Sequence, residues 1–475
     1  MIRFAAALTA SLLMAGAAVA APAKAAADTG EPAFRALYKE LVETNTTFSA
    51  GNCTTAAERM AARLKAAGFP DSDLTLFTPP DKPKDGGLVA VYPGKDPKAK
   101  AILLLAHIDV VEARREDWER DPFKLVEENG YFYARGASDD KAQAAIFTDL
   151  LIRLRKEGFK GRRPIKLALT CGEEGGGQVN GAAWLVENRR ELIDAAFALN
   201  EGAGGSFGPD GKRVMHGVQA GEKSSAGFRL EVTNPGGHSS RPVPDNAIYR
   251  LIRAVDRISH YEFPVQLNDA TRAYFTKMSK IQGGEVGAAM SAIVANPQDP
   301  AAYATLAKDP SLHAILGTTC VATRLDAGHA NNALPQRATA VINCRIFPGV
   351  QIEDVRQTLV RLAADPAVSV SLIGDGRSRV EVGPPPLTQE VMGPIDKVTA
   401  QMWPGVPVVP LLLAAATDAK PMIAAGIPTY GVTGLFYDAD LGRMHGLNER
   451  IGVQSLLEGR EFTYRLVKIY ADAKP

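Results

Sequence analysis

The sequence predicts an α/β fold: a mostly parallel sheet with helices on both faces, into which a smaller α+β domain of ferredoxin-like order is inserted. Three observations predict it. Continuous apolar runs alternate with helical periodicity over residues 31–222, as strands buried on both faces require. The pattern changes to β-α-β-β-α-β near residue 223. The proline-rich link Gly383-Pro384-Pro385-Pro386 then returns the chain to further strands of the first kind.

Taken in order, the chain opens with Arg3, an uncharged stretch over 4–23, and small residues at Ala18-Val19-Ala20. A short positive region, an apolar region and an A-x-A site define a secretory signal peptide, assigned to residues 1–20. The stretch is Ala-rich, only marginally long enough to span, and lacks a stop-transfer charge cluster, so no stable membrane anchor is expected after its removal. No cysteine precedes Cys53, so nothing near the cleavage site takes a bacterial lipoprotein lipid. The product is expected to be exported, either periplasmic or secreted.

About 450 residues then remain, too many for one core and natural for two domains. In the first part, 31–222, helices are predicted over 53–67, 141–157 and 182–192, and strands over 101–106, 165–170 and 195–199. The second domain, 223–376, carries strands 226–232, 319–325, 338–346 and 368–373 and helices 246–258 and 353–364. A mostly helical insertion, about 262–316, interrupts it. The first domain resumes over 377–475 with strands 408–413 and 428–432 and an amphipathic helix 454–470.

Charges nearly balance, 54 Lys plus Arg against 53 Asp plus Glu, and no basic stripe stands out, so nucleic acid is not an expected partner. The four cysteines, Cys53, Cys171, Cys320 and Cys344, show no C-x-x-C spacing, which argues against a thiolate zinc site. Export permits one or two disulfides, whose pairing stays open. Cys171 is read as a small apolar packing residue rather than a nucleophile.

Ligands in parallel sheets bind beyond the carboxyl ends of the strands. Three predicted strands end there in polar residues: His107; Glu173 with Glu174; and Asn200 with Glu201. Two adjacent carboxylates after a buried strand are costly unless partners neutralise them. Neighbouring residues at a turn diverge, so one can hold a metal while the other takes a proton from water; the plainer alternative is a solvated acidic turn. In His107-Ile108-Asp109, residues i and i+2 share a face, so Asp109 can accept the spare ring N–H of His107. Arg135-Gly136-Ala137-Ser138-Asp139-Asp140-Lys141 puts two carboxylates before a helix; Ser138 or Asp139 could cap that helix, and Asp139 could instead bridge two metals. A late His445 stands in Met444-His445-Gly446-Leu447-Asn448-Glu449-Arg450. This N/O donor set suits zinc and leaves room for cobalt or manganese.

The order H-x-D, R-G-x-x-D-D-K, E-E, N-E-G, G-G-H-S-S-R-P, N-x-x-P and H-G-x-x-E-R resembles the M20 (M20/M25/M40) family of co-catalytic zinc peptidases and deacylases over essentially the whole mature chain. The resemblance implies two Zn2+, with Co2+ or Mn2+ as alternatives. His107 and Glu201 would hold one metal, Glu174 and His445 the other, and Asp139 would bridge them. Glu173 would be the general base and Asp109 would orient His107. A cis peptide bond is implied at Asp139-Asp140. The inserted domain would act as a lid and as the surface of a possible homodimer. Its His238 would polarise the scissile carbonyl, often across a subunit interface, while Asn332 and Arg345 resemble residues that hold the substrate carbonyl and carboxylate. Thr417 and Asp418 resemble the family's T-D-A turn beside the substrate.

Two positions depart from the pattern: Ala142 replaces the usual glycine after D-D-K, and Lys420 stands where arginine is common after T-D-A. Lysine keeps the charge without the bidentate fork. The 262–316 insertion resembles the longer, carboxypeptidase S-like branch, where it would cap the site or alter dimerisation. His216, His260 and His313 have no neighbouring carboxylate motif and are read as structural or surface residues, whereas His329 is near enough to Asn332 to face substrate. The Trp118 segment is expected to pack over the loop after His107.

The resemblance therefore implies an exported two-metal hydrolase cleaving an amide next to a free carboxylate, as a carboxypeptidase or dipeptidase acting on peptides. A deacylase of N-acyl amino acids is the alternative. A catalytically inactive binding protein on the same fold is a remote third, opposed by the presence of all five ligand candidates and Glu173.

Overall fold

Each long apolar run of the first domain becomes a strand of one sheet. The structure, a computed structural model, describes residues 30–374 and 382–473; the expected signal segment and the boundary at 376–377 lie outside them. The ten-stranded sheet runs, in spatial order, Leu74–Phe77, Gly87–Tyr92, Ile165–Thr170, Ile102–His107, Phe197–Asn200, Thr429–Gly431, Arg213–Glu222, Gly205–Phe207 and Phe436–Tyr437, with Val408–Leu413 also paired to Arg213–Glu222. Strands 165–170, 102–107, 197–200 and 429–431 are consecutive and parallel. The edge strands 74–77 and 87–92 join antiparallel, an addition that periodicity did not indicate.

The apolar runs are continuous because both faces are covered. Ile102, Leu104 and Ala106 point into one cluster with the helices Glu31–Val42, Cys53–Ala66, Lys141–Glu157, Gln389–Met402 and Val453–Asp472. Leu103 and Leu105 point into the opposite cluster, with the helices Gly181–Asn188 and Ala419–Ala424. Alternate side chains of one strand thus serve two cores.

The inserted unit builds a four-stranded antiparallel sheet, in spatial order Thr319–Ala327, Arg337–Ile346, Ser224–Thr233 and Ser369–Leu372. The helices Ala247–Ser259 and Ile352–Ala363 cover one face, sealing Phe228, Leu230, Leu251, Ile342 and Leu359. The helical insertion forms Asp269–Gln282, Gly284–Ala295, Pro300–Leu306 and Pro310–Leu316. Its Phe275, Met290 and Leu306 pack with Val409 and Leu412 of the large sheet. It therefore braces the far end of that sheet, and its described hydrogen bonds and ion pairs include none to a candidate ligand.

The cysteines pair as Cys53–Cys171 and Cys320–Cys344. Cys171 is fully buried and is cross-linked to the start of the helix Cys53–Ala66. Two partners 118 residues apart in sequence carry no local spacing signal. Among the described residues, no helix is long and apolar enough to cross a membrane.

His216 is a buried structural histidine. Its Nδ1 lies 2.8 Å from Thr399 Oγ1, and its ring packs among Trp403, Phe436 and Phe462. Burial pushes its pKa down to about 3. The unfolded chain binds this proton near the ordinary value of about 6.5, so the stability it contributes is complete above that pH and is lost as pH falls toward the folded value. In urea unfolding of the metal-free protein, His216→Phe is expected to flatten the decline in stability between about pH 6 and 4, which His216 steepens by up to ~1.4 kcal/mol per pH unit. An unchanged slope would remove His216 from the acid response.

Candidate metal centre

The parallel topology brings three strand ends side by side. Ile165–Thr170 lies between Gly87–Tyr92 and Ile102–His107, and Phe197–Asn200 flanks the latter, so Glu173 and Glu174, His107 and Glu201 emerge along one rim. His107 Nε2 sits 3.0 Å from Asp139 Oδ1 and 3.7 Å from Glu201 Oε1. His445 Nε2 sits 3.1 Å from Asp139 Oδ2 and 2.9 Å from Glu174 Oε2. Two groups result, His107–Asp139–Glu201 and Asp139–Glu174–His445, each with donor atoms within 4.8 Å of one another. Asp139 belongs to both and turns a different oxygen toward each histidine. All five candidate ligands are therefore brought together from five separate stretches of chain.

Asp139 is aimed by the loop before it. The peptide bond Asp139-Asp140 is cis. Buried Glu449 accepts hydrogen bonds from the backbone N–H groups of Gly136 (3.0 Å), Ser138 (2.8 Å) and Asp139 (3.0 Å), and from Arg135 Nη1 (2.6 Å). Arg135 Nη2 also donates to Gly446 O, tying this loop to the one that carries His445. Its guanidinium lies 5.1 Å over the ring of buried Trp118. Behind Asp140, the fully buried Lys141 donates to Thr44 O at 2.7 Å. Burial lowers the pKa of Lys141 to about 7.

Asp109 does something the H-x-D reading did not foresee. The atom nearest His107 Nδ1 is the carbonyl oxygen of Asp109, at 3.1 Å; the carboxylate is 3.5 Å away. That carboxylate accepts from the backbone N–H groups of Glu173 (3.4 Å) and Glu174 (3.0 Å). One residue thus orients the histidine and pins the glutamate turn. Gly172, with φ +81°, makes the turn possible, because a Cβ there would lie 2.3 Å from Val179 O.

Acidic charge accumulates here beyond what the protein neutralises. Burial raises Glu173 to about 8, reinforced by Asp418, Glu174 and Asp139 against the opposing pull of His107. Burial likewise pushes Glu201 and Asp140 well above the ordinary carboxylate range. Hydrogen bonds from His445 to the carboxylates of Asp139 and Glu174 raise its pKa to about 10. Burial opposes the charging of His107, but Glu201, Asp109 and Asp139 outweigh it and lift its pKa. Such a buried excess of carboxylate around two imidazoles suits divalent cations. The donor set, one His and two carboxylates in each group with one carboxylate shared, fits two ions of the zinc, cobalt or manganese kind.

The other expected site residues lie apart from this cluster. His238 is exposed on the short strand Gly237–His238, where its Nδ1 faces Ser240 Oγ at 2.8 Å. Asn332 is exposed beside it, its carbonyl accepting from Ser239 N, and His329 is exposed as well. Arg345 is exposed on the lid strand, across from Ser225 and Thr319. No described hydrogen bond or ion pair joins these residues to the metal groups. Thr417 donates from N and Oγ1 to Glu222 Oε2, both at 2.9 Å, and accepts from Asn200 Nδ2. Buried Asp418 accepts from Thr170 Oγ1 and Asn180 Nδ2. Both therefore support the strand ends from behind. Glu449, Arg135, Lys141 and Glu222 received no role in the sequence reading. A carboxylate four residues after a candidate ligand histidine was the available signal for Glu449.

Fold and site together define a dinuclear metal-binding hydrolase. Residues 103–469 match the model of peptidase family M20/M25/M40, and the chain belongs to that family. It is 27% identical over 384 residues to the N-fatty-acyl-amino acid synthase/hydrolase PM20D1 of Mus musculus, covering 79% of this chain and 75% of that protein. It is 29% identical over 393 residues to a probable carboxypeptidase S-like 2 of Dictyostelium discoideum, covering 80% and 74%. Among solved structures, the M20 family metallo-carboxypeptidase Sso-CP2 of Sulfolobus solfataricus superposes with a TM-score of 0.67 at 18% identity, over 92% of this chain and 99% of that one.

Replacing Glu449 with Ala strands a buried arginine and three loop N–H groups. The expected result is a loss of about 3–5 kcal/mol in unfolding free energy together with loss of bound metal. Thermal unfolding and metal analysis of the purified variant would check this, and full metal occupancy at unchanged stability would contradict it.

Proposed function

We propose that this protein is an exported carboxypeptidase or dipeptidase that hydrolyses an amide bond next to a free carboxylate. The observation that carries the proposal is Asp139 facing both histidines while Glu173, beside the ligand candidate Glu174, belongs to neither metal group. Metals held by His107, Asp139, Glu174, Glu201 and His445 would supply Lewis-acid polarisation and acidify water. Glu173 accepts the proton that water loses as it attacks the carbonyl carbon. It then passes that proton to the departing amide nitrogen as the C–N bond breaks. Burial raises its pKa in the metal-free protein, and divalent cations bound beside it would favour the ionised form that accepts the proton.

The lid carries the groups suited to the other half of the substrate. Arg345 and Asn332 would hold the free carboxylate and the carbonyl, and His238 would approach the carbonyl from a neighbouring copy. The exposed edge strand Thr319–Ala327, with Val321 and Leu325 both 60% exposed, offers that copy a surface for strand pairing. Export is supported by the N-terminal pattern and by two disulfides, which persist in oxidising compartments.

A second reading, hydrolysis of N-acyl amino acids, is favoured by the relatives whose names describe N-fatty-acyl-amino acid hydrolysis. Both substrates present the same amide and carboxylate. Assay of the zinc-loaded protein on dipeptides, longer peptides and N-acyl amino acids separates the two by preferred member. Glu173→Gln is expected to retain two metals and lose roughly 10²–10⁴-fold in kcat. Full activity in that variant would overturn the assignment of the base.

A further inference from the structure

We infer that Phe48 is a specificity-determining residue whose exposed ring receives an apolar group on the carbonyl side of the scissile bond; this rests on the hydrolase reading above. Phe48 is 51% exposed, yet its surroundings hold it in place. The ring lies on the glycine turn that follows the two glutamates: a Cβ on Gly177 would come within 2.9 Å of Phe48 Cζ, and one on Gly176 within 3.3 Å of its Cβ. Gly177 is three residues beyond Glu174, so the ring lies on the turn that leads away from a candidate ligand.

The loop that carries Phe48 is anchored at every side. Lys141, directly after the Asp139-Asp140 bond, donates to Thr44 O. Asn45 Oδ1 accepts from Thr47 N and Oγ1, and Gly51 N returns to Thr47 O at 2.8 Å. Ser49 donates from N and Oγ to the two carboxylate oxygens of Glu112, both at 2.8 Å, three residues beyond Asp109. The disulfide Cys53–Cys171 then joins the end of this loop to the stretch leading into Glu173. Lys82 Nζ holds the far side of the turn through Gly177 O. The loop backbone is thereby fixed beneath an exposed aromatic ring, so that backbone loses little more freedom when a ligand covers the ring.

Direction follows from the two domains. In the reading above, the leaving half of the substrate carries the carboxylate and faces the lid residues Arg345 and Asn332. The carbonyl half then falls to loops of the large sheet, where Phe48 is the exposed aromatic side chain beside the glutamate turn.

The test compares wild type with Phe48→Ala, Phe48→Gln and Phe48→Leu, each zinc-loaded and full-length. One series of X-Ala dipeptides and N-acyl-alanines lengthens only the carbonyl-side group, from glycyl or acetyl to phenylalanyl or octanoyl. A second series keeps glycyl or acetyl and varies the carboxyl-terminal residue. Phe48→Ala and Phe48→Gln are expected to lower kcat/KM for the largest apolar carbonyl-side groups roughly tenfold, with glycyl and acetyl substrates within about twofold of wild type. The second series should respond uniformly, and Phe48→Leu should restore most of the loss. A uniform fall across the first series, no fall, or a fall confined to the second series would overturn the inference while leaving the hydrolase reading intact. A wild-type protein inactive on both series would overturn both.

Discussion

The buried carboxylate of Glu449 sets the position from which the rest of the metal centre follows. It gathers the loop N–H groups of Gly136, Ser138 and Asp139 and the Arg135 guanidinium, groups that burial would otherwise leave without acceptors. The loop has no regular structure of its own, so its path is decided by where those donors converge. Asp139 emerges from that convergence with one oxygen toward His107 and the other toward His445. Asp109 does the same for the second loop, taking the N–H groups of Glu173 and Glu174. In both cases a carboxylate facing backbone positions a carboxylate facing the candidate metals, which is the supporting role outer groups play in metal sites.

The cost of this design is a concentration of negative charge in a partly buried site. Arg135 and Lys141 offset part of it from behind, and the histidines take up part of it in front. Burial, reinforced by neighbouring carboxylates, raises the pKa values of Glu173, Glu201 and Asp140. The same excess that would destabilise an empty cleft gives divalent cations a reason to bind.

Much of the fold was legible because its signals are local. The run Ile165-Lys166-Leu167-Ala168-Leu169 reads as a doubly covered strand, and it is one; Lys166 fits by reaching the carbonyls of Glu191 and Asp194. The segment expected over 182–192 forms two helices, Gly181–Asn188 and Arg190–Ile193, because the chain breaks helical geometry at Arg189. The antiparallel strands Leu74–Phe77 and Gly87–Tyr92 and the helix Glu31–Val42 were not read, since short or partly polar segments acquire their identity from the sheet edge or core they join. The ligands were legible one at a time as polar residues that stop apolar strands. Their grouping was carried by the order of motifs and by family resemblance.

By itself the sequence determined the strands and helices of long period, the chemical inventory of the site and the family to which the chain belongs. Those properties reside in windows of a few residues or in the order of short motifs. Only the tertiary structure decided that Asp139 serves two groups, that Glu449 anchors a loop more than 300 residues earlier, that Cys53 joins Cys171, and that Phe48 lies on the glycine turn. Each of these pairs residues whose separation along the chain carries no spacing rule. Their meeting is set by strand order and by where buried donors find acceptors, which exist only once the sheet has closed over its two cores.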